Sequence, residues 1–417
     1  MKKLFRLPYS FSLLAILFFS TLVRLFNLGY PAEYVFDERY HVPAVKLIAE
    51  GDPRAFEWWH RPIYGSSNHD WLHPPLAKYI QASFYNLGSG SVESWRMGSV
   101  IFGLAGIVLV YVLASLVTNN QLTGLLAALF LSLDGLWLVQ SRVAMNDIFL
   151  SVFLLVIAIF YWLFLRYRSA KFLLISGLFL GLALAIKWTA IFWLVGLFIF
   201  AVIKNFKDKQ LRKIPLAFFS LILMPLFIYF VSYLPVLQQG RDFSFLFDLH
   251  KNIFYYQTHR DGLHPYQSTP FQWMFNWRSV WYWTNGIGGN IYLLNQPLLA
   301  IFYFIALILS VYFMVKKFKE TTFAYLILLY ALSFSGWVFS PRILFYYHYL
   351  PAIPFLAVML AICFKEFYFD QKNHLYLFLL TTFLLIISFW LYYPLWLGLP
   401  VPHDLQQAVY WLLPSWK

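Results

Sequence analysis

The chain has 417 residues, of which 61% are hydrophobic and only 12% charged, with 31 Lys and Arg against 18 Asp and Glu. A soluble domain carries about 25% charged residues, so the composition excludes an ordinary soluble globule and points to a membrane protein. The net charge of +13 would suggest a nucleic-acid partner in a soluble chain, but its distribution along this one gives it another cause.

Apolar runs, most of them about 20 residues and able to cross a hydrocarbon core, recur at 8–28, 97–118, 121–138, 147–166, 172–187, 188–204, 214–237, 291–315, 322–339, 343–364 and 374–396. The expected fold is an all-α polytopic membrane protein of about eleven transmembrane helices, one integral-membrane domain over 1–417. The first run follows Lys2, Lys3 and Arg6 and lacks a small-residue cleavage site, which marks an uncleaved anchor. Two long segments, 29–96 and 238–290, interrupt the pattern. Both are rich in Trp, Tyr, His and Pro and are expected to be folded.

With the N-terminus cytoplasmic, the inner segments hold 16 of the cations but only four acids: Asp208, Glu320, Glu366 and Asp370. This is the positive-inside distribution, and no nucleic-acid partner is needed to explain it. Both long segments and the C-terminus then face outward. The inner loops are short and basic, with neither an Asp-x-Asp pair nor a Gly-rich phosphate loop. Chemistry belongs to the outer face, where no nucleotide sugar or ATP is available. The single Cys363 excludes an intramolecular disulfide.

In chain order, the first candidate is Phe36-Asp37-Glu38-Arg39-Tyr40-His41, adjacent carboxylates at a membrane exit in an acid-poor chain. They are either solvated loop acids, with Asp37 capping the next helix, or one is a general base. His73-Pro74-Pro75-Leu76-Ala77-Lys78 opens a helix with prolines suited to its first turn, and such a terminus near the bilayer surface is an anion site. Arg96, Asp134, Arg142, Asp147 and Lys187 fall at outer span ends, where ionisable groups pair, line polar cavities or serve a function. Arg142 and Asp147 are spaced for an ion pair across a short turn, whereas Lys187 has no acid nearby in sequence. Lys187, Lys78, Arg96 and Arg278 are the candidate phosphate clamp. In the second long segment, His259, His264, Tyr266, Trp273 and Trp277 suit either sugar and peptide stacking or an interfacial helix. No carboxylate or second His at i+4 makes a helical metal pair, so no metal is expected.

These motifs run in one order: FDERYH (36–41), HPPLAK (73–78), WRMGSVIFG (95–103), SRVAMNDIFL (141–150), GLALAIKWTAIF (181–192), FYYQTHRDGLHPYQS (254–268), WRSVWYW (277–283) and RILFYYHYLPAIPF (342–355). Through them the chain resembles the compact bacterial protein O-mannosyltransferases of the GT-C class of membrane glycosyltransferases. The resemblance implies inverting transfer of mannose from a polyprenyl- or dolichyl-phosphate donor to Ser or Thr of secreted polypeptides, without a cofactor. It matches Asp37 to the catalytic base, Glu38 to its neighbour and Arg96 to an arginine near the active site. It further suggests His73, Arg142 and Asp147 beside the donor and His264, Tyr266 and His348 in the acceptor cleft. It implies a multi-pass enzyme of the plasma membrane, active on the extracytoplasmic face and associated with the secretion translocon. Met145-Asn146-Asp147 departs from the family's usual Leu-Leu-Asp, as does Gln257 from its usual His. Another lipid-phosphate sugar transferase, with a different sugar or a lipid acceptor, is the alternative within the class. A transporter is the alternative outside it.

Overall fold

Hydrocarbon offers no hydrogen bonds to a backbone, so each apolar run must satisfy its own as helix. The structure, a computed structural model, describes residues 7–60, 69–259, 262–369, 375–407 and 412–416. Lys2, Lys3, Arg6, Asp370 and Lys372 lie outside the described residues. Helix α1 (Leu7–Leu25) leads to two further helices, α2 (Glu38–Ala49) and α3 (Leu76–Leu87). The bundle continues with α4 (Val92–Thr118), α5 (Gln121–Ser132), α6 (Gly135–Gln140), α7 (Asp147–Tyr167), α8 (Ala170–Leu184) and α9 (Ile191–Lys207). Helices α10 (Ile214–Phe218), α11 (Met224–Val231) and α12 (Leu234–Gln238) are turns of one span, Leu211–Gln238. The second long segment holds α13 (Phe243–Thr258), α14 (Pro270–Met274) and strands β1 (Val280–Thr284) and β2 (Asn290–Leu293). Then come α15 (Pro297–Val315), α16 (Glu320–Val338), α17 (Ile353–Phe364) and α18 (Leu375–Leu397).

Each of the expected runs contains an apolar helix. Among the described residues eight helices are long and apolar enough to cross a membrane, and three, Tyr9–Leu25, Gln121–Ser132 and Ala170–Leu184, are shorter. The run 121–138 breaks at Asp134, whose side chain caps α6 by accepting from the Trp137 N–H (2.7 Å) and takes the Asn295 amide (2.5 Å). The run 291–315 starts late, because Asn290–Leu293 pairs antiparallel with β1. This hairpin is the exception to the all-helical expectation. Small residues let helices approach where lipid gives no hydrophobic drive: a Cβ on Gly177 of α8 would lie 1.8 Å from the Ser220 carbonyl oxygen.

The short basic loops pair with one another, Arg168 with Asp208 (2.8 Å) and Lys319 with Glu366 (2.8 Å). The two long segments also meet. Arg241 pairs with Glu57, Trp58 stacks on Phe245 (5.7 Å), and Trp71 meets Tyr256 edge-on (5.7 Å). In the first of these segments α2 packs on α3, and α3 packs on α4.

Candidate active site

Phe36 adopts a positive φ of 50°, uncommon for a bulky residue. The turn lays its ring flat on Tyr282 (4.3 Å, 6°) and directs its N–H to the Tyr282 carbonyl (3.1 Å). It also starts α2 at Glu38 and puts Asp37 at the N-cap position. Asp37 is half-buried and makes no side-chain cap hydrogen bond, so the capping role open in the sequence is not the one its side chain plays.

Glu38 behaves differently. It is fully buried and forms a two-pronged pair with Arg96, Nε to Oε1 at 2.9 Å and Nη2 to Oε2 at 2.8 Å. Its oxygens also accept the N–H groups of Val35 and Ala144, both at 2.9 Å. Arg96 spends its remaining donors on the carbonyls of Leu28, Pro31 and Glu33. The pair therefore bolts the exit of α1, the start of α2 and the loop before α7 onto α4.

A second group gathers around Asp70. Its Oδ2 meets His41 Nδ1 (2.9 Å) and its Oδ1 meets His73 Nδ1 (2.8 Å). Asn146 Nδ2 lies 3.3 Å and Lys78 Nζ 3.8 Å from Oδ2. Lys78 is wholly buried and donates to the carbonyls of Asp70 (2.7 Å) and His73 (2.8 Å). Burial pushes the Asp70 carboxyl up, but His73, Lys78 and His41 outweigh it and hold it well below the usual carboxylate range. His41, Asp70 and His73 carry donor atoms close enough together for a metal ion. Both Nδ1 atoms are already turned onto the carboxylate, however, and the Lys78 ammonium stands where a second cation would be repelled. The arrangement is that of a hydrogen-bonded hub.

Lys187, in the break between α8 and α9, pairs with Asp147 at 2.7 Å and lies over the rings of Tyr347 (5.4 Å) and Trp337 (5.9 Å). Asp147 thus pairs with a lysine 40 positions on, and of the roles open to Arg142 and Asp147 the ion pair across the short turn is not the one they take. Arg142 is buried and donates to the carbonyls of Val23, Arg24, Phe26 and Asn27, which commits it to holding α1. Tyr347 faces Phe36 (6.0 Å), so the aromatic ring beneath Lys187 also adjoins the residue preceding Asp37.

Two cavities open beside this group. One of about 370 Å³ is lined by His73, Lys187, Trp188, Gln257, Trp337 and Arg342, with exposed Ile191 and Phe339 at its apolar side. The other, about 770 Å³, lies between 267–272 and 337–344. They share the wall Trp337, Ser340, Pro341 and Arg342. His264 packs edge-on to Phe345 (4.8 Å), which in turn meets Phe36 (6.1 Å). Arg278 lies over Tyr266 (6.0 Å) and donates to the Pro265 carbonyl, away from the smaller cavity. His348 is buried between Trp337 (4.1 Å) and Tyr347 (4.3 Å), its Nδ1 on the Phe345 backbone. It supports the cleft from behind. The sequence reading missed Asp70 and Arg342. The Asp70-x-x-His73 spacing was the available signal for the first; the second opens the quoted motif at 342–355, where its position alone was the signal.

The family model described as dolichyl-phosphate-mannose-protein mannosyltransferase matches residues 72–233. A model of the C-terminal four-transmembrane region of protein O-mannosyltransferases matches 242–416. The chain is 23% identical to the polyprenol-phosphate-mannose–protein mannosyltransferase of Corynebacterium glutamicum, over 92% of this chain and 88% of that protein. It is 23% identical to the Mycolicibacterium smegmatis protein of the same name, over 95% and 91%. Among solved structures, the S. cerevisiae protein O-mannosyltransferase Pmt1–Pmt2 complex bound to the sugar donor shares the fold, with a TM-score of 0.83 at 13% identity over 99% of this chain and 93% of that one. ArnT from Cupriavidus metallidurans shares it less closely, with a TM-score of 0.56 at 14% identity over 86% and 59%.

Proposed function

The chain belongs to the dolichyl-phosphate-mannose-protein mannosyltransferase family, and on that premise we propose how its outer-face residues perform the transfer. It is a multi-pass membrane glycosyltransferase that moves mannose from a polyprenyl-phosphate donor to protein. In our reading, Asp37 is the general base. Its carboxylate takes the proton of an acceptor Ser or Thr hydroxyl as that oxygen bonds to mannose C1. The C1–O bond to phosphate breaks with its electron pair going to the phosphate. Attack opposite the leaving group inverts the anomeric centre. Phosphate leaves without protonation, so one carboxylate suffices where a glycosidase needs two.

The observation that carries this reading is the contrast between neighbours. Glu38 is wholly buried with both oxygens committed to Arg96 and two backbone N–H groups, whereas Asp37 is half-buried, at the start of α2. Asp37 follows Phe36, whose ring meets Tyr347, and Tyr347 lies beneath Lys187 of the smaller cavity. Glu38 and Arg96 are then positioning residues, as are Lys78 and Arg142, rather than donor ligands. The smaller cavity takes the donor, with Lys187 and His73 at its polar end and exposed Ile191 and Phe339 beside the polyprenyl chain. The larger cavity takes the acceptor polypeptide, with His264, Tyr266 and Arg278 on the same outer surface. Segments 29–96 and 238–290 face outward as parts of one catalytic domain, which puts transfer on the extracytoplasmic face of the plasma membrane, beside the secretion translocon.

The test is direct. Membranes containing the protein are incubated with polyprenyl-phosphate-mannose and a Ser/Thr-rich peptide, and the peptide is weighed by mass spectrometry. A hexose on a hydroxyl residue supports the reading. An unmodified peptide with folded protein and intact donor contradicts it.

A further inference from the structure

We infer that Arg342 gives the donor cavity its net positive charge and binds the lipid-linked phosphate through its guanidinium, with Gln257 holding that group at Nη1; this rests on the smaller cavity being the donor site. The argument is one of charge. A polyprenyl phosphosugar is a phosphodiester with one negative charge, and the polyprenyl phosphate left after transfer carries at least as much. The cavity that holds them needs a cation whose charge is not already spent.

Three of the four cations expected from sequence are spent, and the fourth, Arg278, donates to the Pro265 carbonyl and does not line the smaller cavity. Lys187 is matched by Asp147 at 2.7 Å, Arg96 by Glu38 at 2.8 Å, and Lys78 faces Asp70 at 3.8 Å. Arg342 differs. Among the described residues no carboxylate lies within ion-pair distance of it. Its Nη1 donates to the neutral Gln257 Oε1, and its Nε is buried without an acceptor. A guanidinium carries five N–H donors in a rigid fork that suits phosphate oxygens, and a buried donor without a partner is costly to maintain unless something fills it.

Its place in the fold agrees. Arg342 follows Ser340-Pro341 in the short link from α16 to the turn at Tyr346–Ala352, where proline restricts the backbone. It lines the smaller cavity together with Lys187 and His73 and forms part of the wall shared with the larger one. A phosphate held there has Lys187 on the same cavity wall and the exposed apolar residues Ile191 and Phe339 along the lipid side. Gln257, at the end of α13, ties this binding to the second outer segment.

The experiment measures mannosyl transfer by the full chain in lipid nanodiscs, varying polyprenyl-phosphate-mannose at saturating peptide and then the reverse. Losing a charge-assisted contact is worth about 10- to 100-fold, so Arg342→Gln should raise the donor KM by that factor and the peptide KM by far less. Arg342→Lys should fall between. Gln257→Glu keeps the arginine but puts a carboxylate on it, and should raise the donor KM in the same way. Polyprenyl phosphate should inhibit the wild type and inhibit Arg342→Gln more weakly, while inorganic phosphate at equal concentration should inhibit neither, because the site takes a lipid-borne phosphate. Donor KM within twofold of wild type in folded Arg342→Gln overturns the inference, as does equal inhibition of both proteins by polyprenyl phosphate. Inhibition by inorganic phosphate overturns the lipid-borne part. A normal Gln257→Glu beside a defective Arg342→Gln overturns the part assigned to Gln257. A wild type that transfers no mannose refutes the enclosing proposal instead.

Discussion

Lys187 Nζ lies 2.7 Å from Asp147 Oδ1, with both side chains almost wholly out of solvent. Buried pairs of this kind are costly to break from one side, because the remaining charge is left stranded. Lys187→Gln is expected to destabilise the protein by about 3–5 kcal/mol, and Asp147→Asn similarly. The double variant should recover much of that stability but not the transfer rate, since Lys187 also lines the donor cavity. Thermal melts in detergent alongside transfer assays separate the two effects. Single variants as stable as wild type would show that the pair does not matter to folding.

Glu38 and Asp37 are adjacent, yet their variants should differ in kind. Glu38→Gln disrupts the two-pronged bond to Arg96 and with it the anchorage of Leu28, Pro31 and Glu33. The expected result is a lower melting temperature and yield. The rate per folded molecule should fall by far less than the 10²–10⁴-fold typical of a lost general base. A stable Glu38→Gln protein with a loss in that range would reassign the base to Glu38.

The helices were legible because hydropathy alone marks a segment that must satisfy its backbone inside lipid. What escaped the sequence was long-range pairing. Asp134 breaks its helix because Asn295, 161 positions away, joins in holding its carboxylate; no local signal carries that partner. Asp37 stood out because acids are rare in this chain, whereas the structural role of Glu38 depended on Arg96, 58 positions on. Lys187 looked unpaired for the same reason, and Arg342 looked ordinary because its distinction is the lack of an acid in space.

His69 should make the first long segment acid-sensitive. Burial lowers its imidazole to about 4, with Lys78 contributing, against an ordinary value near 6.5. A histidine held neutral in the fold binds its proton first in the unfolded chain. Its stabilising contribution is therefore complete above about 6.5 and is lost as pH falls from there towards 4. Melting temperature should drop between pH 7 and pH 5, and drop less in His69→Gln. Parallel pH profiles for the two proteins would contradict this.

The proposed orientation puts exposed Asn86 and Gln239 outside and exposed Lys209 inside. In a Cys363→Ser background, cysteines at the first two should react with an impermeant thiol reagent in intact cells. A cysteine at Lys209 should react only after lysis. The opposite pattern would invert the topology and move the catalytic face to the cytoplasm.

The central claim is that Asp37 is the base, and Asp37→Asn tests it most directly. The change keeps size and hydrogen-bonding capacity while removing basicity. Because the Asp37 side chain makes no cap hydrogen bond to α2, folding and donor binding should survive. The measurement is single-turnover transfer of mannose to peptide from saturating donor by folded enzyme. The account predicts a 10²–10⁴-fold slower chemical step with an unchanged donor KM. A folded Asp37→Asn enzyme that keeps more than about a tenth of the wild-type single-turnover rate, well outside that range, would contradict it.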